Sequence, residues 1–339
     1  MSKIVCIYEL SLVSENRPKL LNLLLWAINW IRHSIPPIIF CMTFYFAPKG
    51  KEAVYFDTSA VNWLAKDQDS TAVVNRICAY SGVYISAFTV AELAATALKE
   101  QRNRLLKITK TISSNWRPLA MPNELLKRSL NAMLSKANRI DASIGSEWDG
   151  VWYALNDPDL IDDEAYKEVI GWKAQQEKWY QEMHDSGRPH IQDALAELSA
   201  QERHSLTLRP SKILRYFVNH PDYLPNLISE MAIGCGLKTF DKGLSNSVLQ
   251  LEPWRFFLSG MVYGFYTRSL QRTHFGKQSN PGSIDTQQAI YLSGCSTFVT
   301  CDFRQCQMMR WLLPMGHIKR KVWHYTRFRD WIFDQALNN

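Results

Sequence analysis

A chain of 339 residues that is 46% hydrophobic and 12% aromatic has ample side-chain volume for a packed core, which excludes wholesale disorder. That length suits one large domain or two ordinary ones. A formal charge of +7 inclines the chain toward polyanionic partners. Seven cysteines without a regular framework argue against a disulfide scaffold, and no secretory leader is evident, so a reducing cytoplasm is expected.

Residues 1–48 form an apolar segment of uncertain status. Leu20–Ile31 is apolar apart from Asn22 and Asn29, Pro36 and Pro37 interrupt, and Ile38–Phe46 resumes. A membrane helix needs about 20 consecutive apolar residues, and neither piece reaches that. Three readings stay open. One is a membrane anchor through residues 20–46, which is not favoured; the others are a helix docked on the protein and an upstream extension of a chain starting near Met42.

From Lys49 the pattern sharpens. Ala53–Phe56 reads as a strand and Thr58–Lys66 as a helix entered through polar caps. Val83–Phe88 reads as a second strand, followed by a helix from Thr89 to about Lys107. Nearly continuous apolar strands alternating with helices predict a parallel sheet covered on both faces.

Residues 111–251 show no convincing strand. Asp162, Asp163 and Glu164 open a helix, Ser186–Pro189 reads as a break, and Ile191–Arg203 reads as helical again. Pro210, Pro221 and Pro225 punctuate further helices. The segment is expected to be a largely helical insertion, separate from an α/β unit made of residues 49–110 and 252–339.

Trp254–Leu270 reads as an apolar helix in which Gly260 and Gly264 permit close packing; its uncharged part is too short for a bilayer. After the loop Lys277–Gly282 come a short helix carrying Asp285, a turn at Gly294, and a buried strand that ends in Asp302. A final strand-like run covers Lys321–Phe328.

Four carboxylates organise this pattern. Asp57 and Asp302 fall at strand ends, Glu92 lies one turn beyond another, and Asp285 lies one helix before Asp302. Each alone has a bland account: Asp57 and Asp285 as N-caps, Glu92 at a helix start, Asp302 closing a turn. Together they converge where open parallel sheets bind ligands, at the carboxyl ends of strands. Crowded like charges repel unless a cation neutralises them, and oxygen-only ligands suit Mg²⁺ or Mn²⁺. Such an ion polarises a phosphodiester. Ser59 and Thr300 are placed to hydrogen-bond the ligands.

Asp57-x-Ser59, Glu92 in Ser86-x-x-x-x-Ala91-Glu92-Leu93, Asp285-x-x-x-Ala289 and Thr300-x-Asp302 resemble the four acidic motifs of the PIN-domain nucleases, in the family's order. The resemblance covers about Lys49–Lys107 and the region after Trp254. It implies a PIN-like α/β/α sandwich with a central parallel sheet, and Mg²⁺- or Mn²⁺-dependent endoribonuclease activity on RNA. Asp57, Glu92, Asp285 and Asp302 would be the catalytic metal ligands. The family includes toxins of toxin–antitoxin pairs, so an antitoxin protein is a further partner to consider, as is a second copy of the chain. Family domains are usually much shorter, and the long insertion departs from them. Asp241 is a rival third acid, but it lacks the following helix and Ala.

Charge agrees with a polyanionic substrate. From Pro253 to Arg329 the only acids are Asp285 and Asp302, among many cations. Arg304, Arg310, Lys319, Arg320 and Lys321 are expected to hold RNA, with Trp311, Trp323, His324, Tyr325 and Phe328 available to stack on bases. The cluster of Cys295, Cys301, Cys306, His317 and His324 lacks a usual zinc spacing and reads as buried thiols. No Walker loop, dinucleotide fingerprint or serine-hydrolase elbow is present. The alternative to an endoribonuclease is a non-cleaving PIN-like scaffold that binds nucleic acid or protein.

Overall fold

Alternation along four short strands decides the architecture. β1 (Glu52–Phe56) is followed by α1 (Thr58–Lys66), α2 (Ser70–Tyr80), β2 (Ser81–Tyr84), α3 (Ala87–Ala94) and α4 (Lys99–Ile112). Then come α5 (Pro122–Leu134), α6 (Asp149–Asn156), α7 (Asp163–Ala196), α8 (Tyr223–Gly234) and α9 (Glu252–Ser269). The last part holds α10 (Ser283–Gln287), β3 (Thr297–Thr300), α11 (Phe303–Leu312), β4 (Lys321–His324) and α12 (Tyr325–Asp334). The computed structural model describes residues 51–114, 117–137, 140–145, 149–196, 199–201, 223–235, 237–241, 244–269 and 282–335. Expectations placed on residues 1–48, on residues 202–222 and on nearly all of the Lys277–Gly282 loop lie outside the described residues.

All four strands are parallel, in the order β2-β1-β3-β4. Tyr55 pairs with Tyr84 on one side and with Phe298 on the other, and Phe298 pairs with Val322. Because side chains alternate along a strand, this row enters one core with α5, α9 and α11. The intervening row, Val54, Phe56, Val83, Val299 and Trp323, enters the other with α1, α2, α4 and α12. Both faces are therefore covered, which is why the strands read as continuous apolar runs. The predicted α/β class with a parallel sheet is what the structure has. Among the described residues no helix is long and apolar enough to cross a membrane.

Several local expectations need correction. The helix expected over Thr89–Lys107 is two helices, because α3 ends at Ala94 and the chain turns before α4. Arg102 Nη1 closes that turn on the Thr96 carbonyl at 3.1 Å, and Arg104 Nη2 ties α4 to Ala65 at 2.5 Å. The break expected at Ser186–Pro189 is absent: α7 runs for 34 residues. The strand expected over Lys321–Phe328 stops at His324, whose side chain caps α12. From there the buried positions are Tyr325, Phe328 and Ile332, a helical spacing rather than a two-residue alternation.

The segment 111–251 is layered onto the sheet rather than standing apart from it. Ser113 and Leu119 bridge to Val83 and Ser86 in parallel, so the chain extends the sheet edge beyond β2. Tyr291 Oη donates to the Ala120 carbonyl at 2.8 Å, and Trp254 Nε1 donates to Leu126 at 3.1 Å. Leu125, Tyr180, Ile228 and Leu249 share one core with Tyr55 and Phe298.

Candidate metal centre

The site grows from the ends of β1 and β3. After Phe56 the backbone leaves the sheet and Asp57 caps α1, its Oδ1 accepting the Ala60 amide at 2.7 Å. After Thr300 the chain does the same, and Asp302 Oδ1 accepts the amides of Arg304 and Gln305 at 2.7 and 2.9 Å. Carboxylates suit helix N-termini, where unpaired amides carry partial positive charge. The capping roles are thus real, and the cap bonds fall on Oδ1 of each acid.

Ser59 and Thr300 stitch the two turns together. Ser59 Oγ donates to Asp57 at 2.9 Å and accepts the amides of Cys301 and Asp302 at 2.6 and 3.2 Å. Thr300 Oγ1 lies 2.8 Å from both Asp57 Oδ2 and Gln305 Oε1. Gln305, fully buried, passes this contact on: its Nε2 donates to Gln288 Oε1 at 2.7 Å and to Asp285 Oδ1 at 3.3 Å. Asp285 sits in the first turn of α10 and accepts the Gly282 amide on Oδ2 at 2.8 Å. Gly260 lets α9 pack against that turn, since an added Cβ would meet the Thr286 carbonyl and Ala289 Cβ, the latter at 2.8 Å.

Glu92 arrives from α3. Its Oε2 accepts the Thr58 hydroxyl at 2.7 Å, and its Oε1 lies 3.5 Å from Lys173 Nζ on α7. One turn further along α7, Glu177 Oε1 accepts the Ser283 amide at 3.1 Å, beside Asp285. The long insertion therefore supplies one wall of the site, with Gln176 against Gln287 and Trp172 tilted against Phe88. Lys173, Glu177 and Gln305 were not singled out from the sequence. The four-residue spacing of Lys173 and Glu177 placed them on one helix face, but nothing local said what that face meets.

The electrostatics are those of crowded acids. Burial pushes Asp57 up to about 7, against its hydrogen bonds and with a further push from Asp285. Burial also pushes Asp285 up to about 7, and Glu92, Asp302 and Glu177 add repulsion. Glu92 is raised by burial too, with Lys173 pulling in the opposite direction. An all-oxygen, mutually repelling donor set fits a hard divalent cation in kind. Among the described residues, no three His, Cys, Asp or Glu side chains stand close enough together to hold one ion by themselves. Mg²⁺ is commonly held by only one or two carboxylates and keeps several waters.

The predicted RNA-binding cations divide. Arg304, half-buried in the first turn of α11, stands at the carboxylate end of the sheet. Lys319, Arg320 and Lys321 do not: Lys321 pairs with Thr297 at the start of β3, so these residues lie at the opposite end of the sheet. Lys321 is held by Glu52 at 3.1 Å, and Arg320, only 7% exposed, is committed to a buried ion pair with Glu252. Arg310 is exposed but hydrogen-bonds the Val322 carbonyl at 3.2 Å, on the same side of the molecule as β4. Trp311, Trp323, Tyr325 and Phe328 are in or against the core. Asp241 is exposed. Burial pushes the Cys295 and Cys301 thiols up to about 12, which keeps them protonated.

Comparison with protein-family models, with curated proteins and with solved structures finds no match to this chain.

Proposed function

We propose that the chain is a PIN-like, metal-dependent endoribonuclease in which Asp57, Glu92, Asp285 and Asp302 would hold Mg²⁺ or Mn²⁺. The reading is supported most by one observation. Acids from four separate stretches, brought by the ends of β1 and β3 and by α3 and α10, repel one another at one end of a parallel sheet. Capping accounts for Asp57, Asp285 and Asp302 one by one, and a phosphodiesterase would account for their meeting at one end of the sheet. When bound, the ion neutralises the carboxylates and polarises the phosphodiester.

The chain's own residues prepare the site. Ser59 and Thr300 orient Asp57, Gln305 orients Asp285, and the helix amides hold Asp302 with one oxygen outside its cap bonds. Without a cation, Asp57 and Asp285 each bind a proton near neutral pH. Arg304, in the first turn of α11, would meet a backbone phosphate there. Incubation of a labelled RNA pool with purified protein in EDTA, Mg²⁺ or Mn²⁺ tests the reading. Metal-dependent fragments are expected; RNA retained uncut under every metal would move the assignment to a non-cleaving scaffold.

One observation favours that second reading. The Lys173 ammonium already lies against Glu92, which partly balances the acids without a metal.

A further inference from the structure

Lys173 reaches the acid site from α7, the long helix of the inserted segment. Its Nζ lies 3.5 Å from Glu92 Oε1, and its side chain remains 43% exposed. Glu92 is also held by Thr58 at 2.7 Å, so the carboxylate stays in place with or without the lysine. The helix that carries Lys173 has its own anchors: Glu177 on the Ser283 amide, Gln176 on Gln287, and Trp172 against Phe88. Lys173 is therefore free to leave Glu92 without undocking α7. A lysine stem is flexible and its ammonium is readily solvated.

Resting on the metal-site reading above, we propose that Lys173 is a built-in counter-cation of the acid site that competes with the divalent ion for Glu92. A dication ligated by Glu92 would stand within a few ångströms of Nζ, where like charges repel strongly. Metal binding then requires Lys173 to swing into solvent and give up a partly exposed ion pair. Such pairs are weak, so the competition is modest in size. The lysine offsets part of the acids' charge at low metal and sets the concentration at which the site loads.

The test is Mn²⁺ binding by titration calorimetry to wild type and Lys173→Met, together with amine acetylation of wild type read by peptide mass spectrometry. The variant is expected to bind Mn²⁺ about 3- to 10-fold more tightly, while Lys173→Arg stays close to wild type. In wild type, Mn²⁺ should increase acetylation at Lys173 as its amine is released. Equal or weaker binding by Lys173→Met, or Lys173 acetylation unchanged by Mn²⁺, would overturn the competition and leave the metal site standing. Absence of Mn²⁺ binding to both proteins would instead remove the metal-site reading, and the competition with it. The labelling arm keeps the inference falsifiable even if Lys173→Met folds poorly.

Discussion

Ser59 Oγ accepts the Cys301 amide at 2.6 Å across 242 residues of chain while donating to Asp57 at 2.9 Å. One hydroxyl thus joins the turn after β1 to the turn after β3 and sets the distance between Asp57 and Asp302. Ser59→Ala takes the partner of the Cys301 amide and one hydrogen bond from Asp57, while the Asp302 amide keeps Thr300 Oγ1 at 3.0 Å. A destabilisation of about 1–3 kcal/mol is expected in urea unfolding, with cleavage reduced more than the loss of folded protein explains.

Asp57 ties stability to pH. Its folded pKa, about 7, lies above its ordinary value of 3.8, as does that of Asp285. The folded state therefore holds more protons than the unfolded state between those values. Their contribution is fully present below about pH 4 and is lost as pH rises through about 7. Metal-free protein should accordingly lose stability across that window, and Mn²⁺ should restore it at neutral pH. Asp57→Asn keeps the cap, since Asn caps as well as Asp, and should flatten the profile. Thermal melts from pH 4 to 8 with EDTA check this; a wild-type curve rising over the same range would contradict it.

Gly260 controls how closely α9 approaches the helix that carries Asp285. An added Cβ meets the Thr286 backbone and Ala289 Cβ, neither of which is a flexible side-chain end. Gly260→Ala should cost about 1–3 kcal/mol through overpacking. It should also weaken Mn²⁺ binding by moving Asp285. Unchanged melting and unchanged Mn²⁺ affinity would show that the contact relaxes freely.

Arg320 and Glu252 form an ion pair within the core, and Glu252 Oε1 also accepts the His317 amide at 2.5 Å. Arg320→Ala strands a buried carboxylate, which typically costs about 3–5 kcal/mol. RNA affinity, measured by filter binding well below the melting point, should not change. Arg304→Ala should instead weaken RNA binding.

Much of this arrangement was legible locally. Asp57 and Asp302 could be found because a strand buried on both faces reads as an unbroken apolar run, and the acid that ends it stands out. Their partners Ser59 and Thr300 followed from adjacency. Other features depend on tertiary contacts that no window contains. Arg320 looks like a surface cation until Glu252, 68 positions away, is seen beneath it. The end of β4 was missed because the aromatic content of the strand continues into α12, where Tyr325 and Phe328 take a helical spacing. The continuous α7 was missed because Gly187 and Pro189 are locally unfavourable in a helix, a local cost that the long helical stretches on either side outweigh. Lys173 and Glu177 were invisible for a related reason: helical spacing places them on one face without saying that the face meets the acids.

The most direct measurement is Mn²⁺-dependent RNA cleavage by wild type and Asp302→Asn side by side, with folding of both confirmed by circular dichroism. Asn preserves the cap on α11 and removes only the charge. The account expects wild type to cut in Mn²⁺ and not in EDTA, and the variant to lose at least about 100-fold of that rate, on the order of 2.7 kcal/mol of transition-state stabilisation. Full activity in Asp302→Asn would contradict the proposed centre.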